Sequence, residues 1–130
     1  MMRTAILFVI LACILQTAGC ALRSTTPNRK FYGYASWYTE DDKWGKSTAS
    51  GEEFDETKFT AAHRWLSFGK YVRVKRLDSG KTVVVKINDR GPYKWRRIID
   101  LSPAAAKELD IIEIGITRVC VEILGRTPPE

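Results

Sequence analysis

Asp89, Glu52 and His63 are the residues of this sequence whose type and setting suit acid–base chemistry. Asp89 closes the run Ile87-Asn88-Asp89-Arg90-Gly91-Pro92, at the end of an apolar segment and just before a Gly-Pro turn. A carboxylate partly desolvated there keeps its proton to higher pH and can donate it near neutrality. Arg90 opposes that shift if its guanidinium points the same way. A turn-capping Asp is the plain alternative. Glu52 follows Gly51 in the polar stretch Thr48-Ala49-Ser50-Gly51-Glu52-Glu53-Phe54-Asp55, where an ordinary solvated carboxylate is also expected. His63, the one imidazole, ends Thr60-Ala61-Ala62-His63; a lone His serves a structural or surface role as readily as a catalytic one. One His with Glu52 and Asp89 is a weak zinc set, so neither metal nor cofactor is expected. No Ser or Cys stands in a nucleophile-elbow context.

Aromatic residues supply a second kind of chemistry. Trp44, Tyr93 and Trp95 lie in turn-rich, polar surroundings, among Lys43, Lys46, Lys94, Arg96 and Arg97. Exposed rings with basic neighbours suit sugar stacking plus contact with an anion, and would equally suit single-stranded nucleic acid. Trp37 and Tyr38 are expected to pack, one on each face of a strand.

The elements that must position these residues are mostly strands. The chain has 130 residues, 45% of them hydrophobic and 28% charged, which fits one ordinary globular domain. Phe31 to Tyr38 reads as a strand. Tyr71 to Leu77 alternates apolar and basic residues, Asp78-Ser79-Gly80 makes a three-residue turn, and Lys81 to Asn88 returns as a hairpin partner. The unbroken Val83-Val84-Val85 predicts cover on both faces. A short strand spans Arg96 to Leu101. Ser102-Pro103 then opens a helix with a Ser N-cap and Pro at its first position. After Gly115 a last strand covers Thr117 to Leu124. Several short strands and one helix predict a mainly β, compact barrel.

The N-terminus reads as an export signal. Residues 1–20 hold one charge, Arg3, before the apolar run Ala5 to Leu15, which is too short to span a bilayer comfortably. Its end, Ala18-Gly19-Cys20, resembles the lipobox of bacterial lipoproteins, with Thr17 where Leu is usual. That resemblance implies a lipidated Cys20 anchoring the chain to a membrane, and Ala21 resembles an outer-membrane sorting context. Residues 21–30 form a short tether, 31–125 the domain and 126–130 a frayed tail. The whole chain carries net charge +6. Without Arg3, 20 basic and 15 acidic residues leave net +5, which favours anionic partners. Export argues against nucleic acid. With Cys13 in the signal and Cys20 lipidated, Cys120 alone remains, so no internal disulfide is possible.

Taken together the segments resemble the rare lipoprotein A family of septal-ring lytic transglycosylases. The matching pieces are Gly33-Tyr34-Ala35-Ser36-Trp37-Tyr38, Thr48-Ala49-Ser50-Gly51-Glu52, Thr60-Ala61-Ala62-His63, Ile87-Asn88-Asp89-Arg90-Gly91-Pro92 and Arg97-Ile98-Ile99-Asp100-Leu101-Ser102. The resemblance implies a six-stranded double-psi β-barrel with one or two short helices. It implies peptidoglycan as substrate, cleaved between N-acetylmuramic acid and N-acetylglucosamine to leave a 1,6-anhydro end. Asp89 would be the general acid/base, Glu52 would stabilise oxocarbenium charge or hold the sugar, and His63 would orient one of them. Asn88 and Arg90 would position the site, and Trp44, Tyr93 and Trp95 would line the sugar groove. Trp44 stands where many relatives have His. Larger relatives carry a sporulation-related repeat domain that binds denuded glycan; the expectation is a barrel without it. The protein is expected to be a monomer of the cell envelope, anchored in the outer membrane facing the periplasm, with envelope or division proteins as further partners. An expansin-like wall-binding or wall-loosening module without catalysis is the competing expectation.

Overall fold

The computed structural model describes residues 28–42 and 45–130. The expected signal, the lipidation site Cys20, most of the tether and Trp44 lie outside the described residues. Six strands form a closed barrel in the order β1-β5-β2-β4-β3-β6. They are β1 (Lys30–Trp37), β2 (Thr60–Ala62), β3 (Tyr71–Arg76), β4 (Thr82–Asp89), β5 (Arg97–Leu101) and β6 (Ile116–Gly125). The pairs β1/β5 and β2/β4 are parallel and the others antiparallel, the mixed pattern of a double-psi barrel. Closure leaves no free sheet edge.

The barrel interior is filled by branched aliphatics: Val72, Val74, Val85, Ile87, Ile99 and Leu101 are fully buried or nearly so. They alternate with outward residues, as period-two strands require. Val84 departs from the expected two-sided cover. It is only half-buried between buried Val83 and Val85, because β4 has one wet face over its first half. Both faces close over only from Ile87 to Asp89.

The β3–β4 hairpin is present, but its loop is longer than the three-residue turn. β3 stops at Arg76, whose N–H donates to Lys81 O, so Leu77 joins the loop. Gly80 there has φ +76°, the left-handed conformation that a Cβ disfavours. The helix α1 (Pro103–Glu108) starts as its sequence dictates: Ser102 Oγ accepts from Ala105 N, with Pro103 at the first position. A 3-10 turn at Glu40–Asp42 is the second short helix. Gly33 of β1 sits where a Cβ would come within 2.6 Å of the Ile98 side chain on β5, so a larger residue there would force Ile98 to shift.

Candidate active site

β2 and β4 position the leading carboxylate through an irregularity in their pairing. Ala61 pairs with Ile87, but Ala62 pairs with Asp89, leaving Asn88 as an extra residue on β4. Strict alternation from Ile87 would turn Asp89 into the barrel. The extra residue turns it outward instead, onto the face of Ala62. There Ala62 packs with Tyr38 and Phe54, whose rings stack at 4.9 Å. Trp37, by contrast, packs against the main core, so the two aromatics do serve opposite faces.

Asp89 is 6% exposed and held by donors on both oxygens. Tyr38 Oη donates to Oδ2 at 3.2 Å; Ala49 N and Arg90 N donate to Oδ1 at 2.9 Å each. Burial and the neighbouring carboxylate raise the Tyr38 pKa far above its usual value, so the phenol stays protonated and remains a donor. The Ala49 bond docks the 48–52 turn onto the end of β4, and Ser50 N adds a bond to Asn88 O. That turn closes by Gly51 N donating to Thr48 O and Thr48 Oγ1 to Glu52 O, with Gly51 at φ +89°.

Glu52 emerges from this turn beside Asn88. Lys86 Nζ lies 3.0 Å from Glu52 Oε1, and Asn88 Nδ2 donates to Oε2 at 3.3 Å. The lysine bond holds the Glu52 pKa below the usual range, so it is an anion at neutral pH, half in solvent. Asp89, Asn88 and Glu52 therefore belong to one hydrogen-bonded unit along β4.

His63 joins that unit through the main chain. Its N–H donates to Asp89 O at 3.1 Å. Its ring is turned the other way, packing 5.5 Å from Phe31 and edge-on to Trp65 at 4.9 Å, in a separate cleft of about 210 Å3. Nδ1 accepts from Trp65 N at 3.2 Å and Leu66 N at 3.1 Å, which assigns the ring proton to Nε2. Burial, with Arg90 and Arg64 adding repulsion, lowers the His63 pKa to about 4. The imidazole is neutral and caps the turn that follows β2. Arg90 also folds back onto this turn. Its Nη1 donates to His63 O and Leu66 O at 3.2 and 2.8 Å, and its guanidinium lies 3.9 Å over Phe68.

Two grooves flank the β4 end. One, of about 360 Å3, is bordered by Tyr38, Arg90, Tyr93, Lys94 and Asp100. The other, of about 440 Å3, is bordered by Glu52, Lys58, Phe59, Lys86 and Asn88. Tyr93 is 77% exposed and Trp95, on the same loop, 85%. Both rings are open to solvent on the loop that precedes β5.

Sequence reasoning missed Asp100 and the polar role of Tyr38. Ala62 pairs with Asp100 on its other side, and Asp100 with Ser36, so Asp100, Ala62 and Asp89 form a row across β5, β2 and β4. Ser36 Oγ donates to Asp100 Oδ1. Burial raises the Asp100 pKa, against the opposing Ser36 bond. The signal was present in the strand: between inward Ile99 and Leu101, Asp100 must face outward.

Residues 30–121 match the family described as Lytic transglycolase. The chain is 54% identical over 89 residues to a probable endolytic peptidoglycan transglycosylase RlpA of Treponema pallidum, covering 68% of this chain and 28% of that protein. It is 50% identical over 93 residues to the endolytic peptidoglycan transglycosylase RlpA of Pseudomonas aeruginosa, covering 72% and 27%. The chain thus spans little more than a quarter of these relatives' length. Among solved structures, the Streptomyces papain inhibitor superposes with TM-score 0.61 at 23% identity, over 75% of this chain and 96% of that one. The expansin of Clavibacter michiganensis gives 0.61 at 16%, over 78% and 53%. At such identities these two show a shared fold. Matched over most of its barrel, the chain belongs to the lytic transglycolase family, in keeping with its resemblance to rare lipoprotein A.

Proposed function

We propose that this domain is an endolytic peptidoglycan lytic transglycosylase, with Asp89 as its general acid/base. The observation that carries this reading is the outward-turned, buried Asp89, hydrogen-bonded by Tyr38, whose neighbours Arg90 and Asn88 each border a groove. The names of the relatives, which are peptidoglycan transglycosylases, support the substrate class.

The chemistry needs one acid and no activated water. Protonated Asp89 gives its proton to the glycosidic oxygen as the bond to muramic C1 breaks. The muramic 6-hydroxyl then attacks C1, and its proton passes to the Asp89 carboxylate, which restores the starting state. No second carboxylate is needed to activate a water, unlike hydrolytic glycosidases. Anionic Glu52 offers its charge to the oxocarbenium ion or to the sugar hydroxyls. Asn88 orients Glu52. His63 acts as a positioning residue, holding the Asp89 main chain and capping its own turn. Tyr93 and Trp95 stack on sugar rings, and Trp44 is a further sugar contact. The site belongs to wall remodelling and septation, on a lipoprotein anchored through Cys20 in the outer membrane and facing the periplasm. Envelope or division proteins are its further partners.

A non-catalytic wall-binding module is the second reading. The two highly exposed aromatics and the expansin-like fold favour it. Purified domain incubated with intact and peptide-free sacculi separates the two by mass spectrometry. Anhydro-muramic ends support the enzyme; retention on glycan without such ends supports the module.

A further inference from the structure

Arg64 is the residue after His63, solvent-exposed, and absent from the roles assigned above. Its guanidinium nevertheless makes three hydrogen bonds to main-chain carbonyls of the loop before β5 and of that strand's first residue. Nε donates to Pro92 O at 2.5 Å, and Nη2 to Lys94 O at 3.1 Å and Arg97 O at 3.3 Å. That loop carries Tyr93 and Trp95, and Tyr93 and Lys94 border the groove shared with Tyr38 and Asp100. The loop also contains Arg96 at φ +62°, a left-handed conformation that a residue with a Cβ rarely adopts. Such a conformation persists only where its surroundings hold it. The carbonyls gripped by Arg64 lie on both sides of Arg96, and Tyr34 N holds Arg96 O at 2.9 Å.

We propose that Arg64 is a positioning residue for glycan binding: it braces the 92–97 loop so that Tyr93 and Lys94 face the Asp100 side of the groove. The proposal rests on the wall-polymer reading of that groove and adds a residue to it. The rigid fork of a guanidinium suits this task. It reaches three carbonyls at once, where a lysine ammonium would act as one movable point. The same short turn bonds to Asp89 O through His63 N and to the loop through Arg64, so carboxylate and sugar platform share one support.

The test compares wild type, Arg64→Ala and Arg64→Lys, with melting temperature as the folding control. Amide exchange over residues 93–97 reads the brace without ligand, and a sacculus pull-down with denuded glycan reads affinity. The expected result for Arg64→Ala is faster exchange in that loop, unchanged exchange in β4, and glycan affinity weaker by roughly tenfold. KM should rise by a similar factor with kcat changing less, and Arg64→Lys should recover only part of the affinity. Unchanged loop exchange, or wild-type affinity despite faster exchange, would overturn the proposal. Failure of wild type itself to bind denuded glycan would instead strike the wall-polymer reading, and with it the glycan role of Arg64; the exchange data would still decide whether the brace exists.

Discussion

The Tyr38 phenol donates to Asp89 Oδ2 at 3.2 Å, in a pocket where Tyr38 is itself 8% exposed. Its raised pKa keeps the phenol protonated, so while Asp89 is ionised the phenol gives and the carboxylate receives. Tyr38→Phe removes a donor that favours the charged carboxylate. The pH–rate profile should therefore move to higher pH. Stability should fall by about 1–2 kcal/mol. A profile that stays in place, measured by anhydro-product release between pH 4 and 9, would show that Asp89 does not set it.

His63 gives a sign-defined stability effect. Its folded pKa of about 4 lies below the ordinary value of 6.5. Between those values the unfolded chain binds the proton more readily, so stability rises with pH across that window. It is level above about 6.5, and the full effect is roughly 3 kcal/mol. Chemical denaturation of wild type and His63→Asn over pH 4–8 should show this difference. Nitrogen NMR should find Nδ1 unprotonated and Nε2 protonated from pH 8 down to about 5. A histidine protonating near 6.5 would contradict the capping role.

Much of this arrangement was legible in the chain. Ser102-Pro103 announced α1 because capping is local chemistry, satisfied within three residues. The β3–β4 hairpin was legible because period-two alternation survives on a strand with one wet face. β2 is not legible as a strand. Thr60-Ala61-Ala62 is three residues long and buried throughout, so it shows neither alternation nor β-branched enrichment, and long-range pairing to β4 and β5 defines it. The facing of Asp89 was hidden for the same reason. The extra residue at Asn88 arises between two strands and leaves no local mark. His63 stands out in the chain as the one imidazole, but the direction of its ring depends on Phe31, far away in the chain.

Glu52 is an exposed anion paired with Lys86, and exposed pairs contribute little to stability. Glu52→Gln should change unfolding free energy by less than about 1 kcal/mol. Turnover should still fall by roughly 10- to 100-fold, if its charge meets the oxocarbenium ion. Paired unfolding and product-release assays read the two effects separately. A large loss of stability with normal turnover would make Glu52 a structural residue.

The central claim is that the Asp89 carboxyl carries the proton. Asp89→Asn keeps the size of the side chain and a carbonyl oxygen for the Ala49 and Arg90 donors, and places an amide that can donate to the Tyr38 phenol oxygen, while removing the acid. The decisive measurement is mass spectrometry of muropeptides and glycan released from sacculi by wild type and by Asp89→Asn, with melting curves confirming that both are folded. The expected result is 1,6-anhydro-muramic ends from wild type and a loss of at least about 100-fold in the variant. Anhydro ends formed at the wild-type rate by folded Asp89→Asn would contradict the account and move the acid elsewhere, with Asp100 next in line.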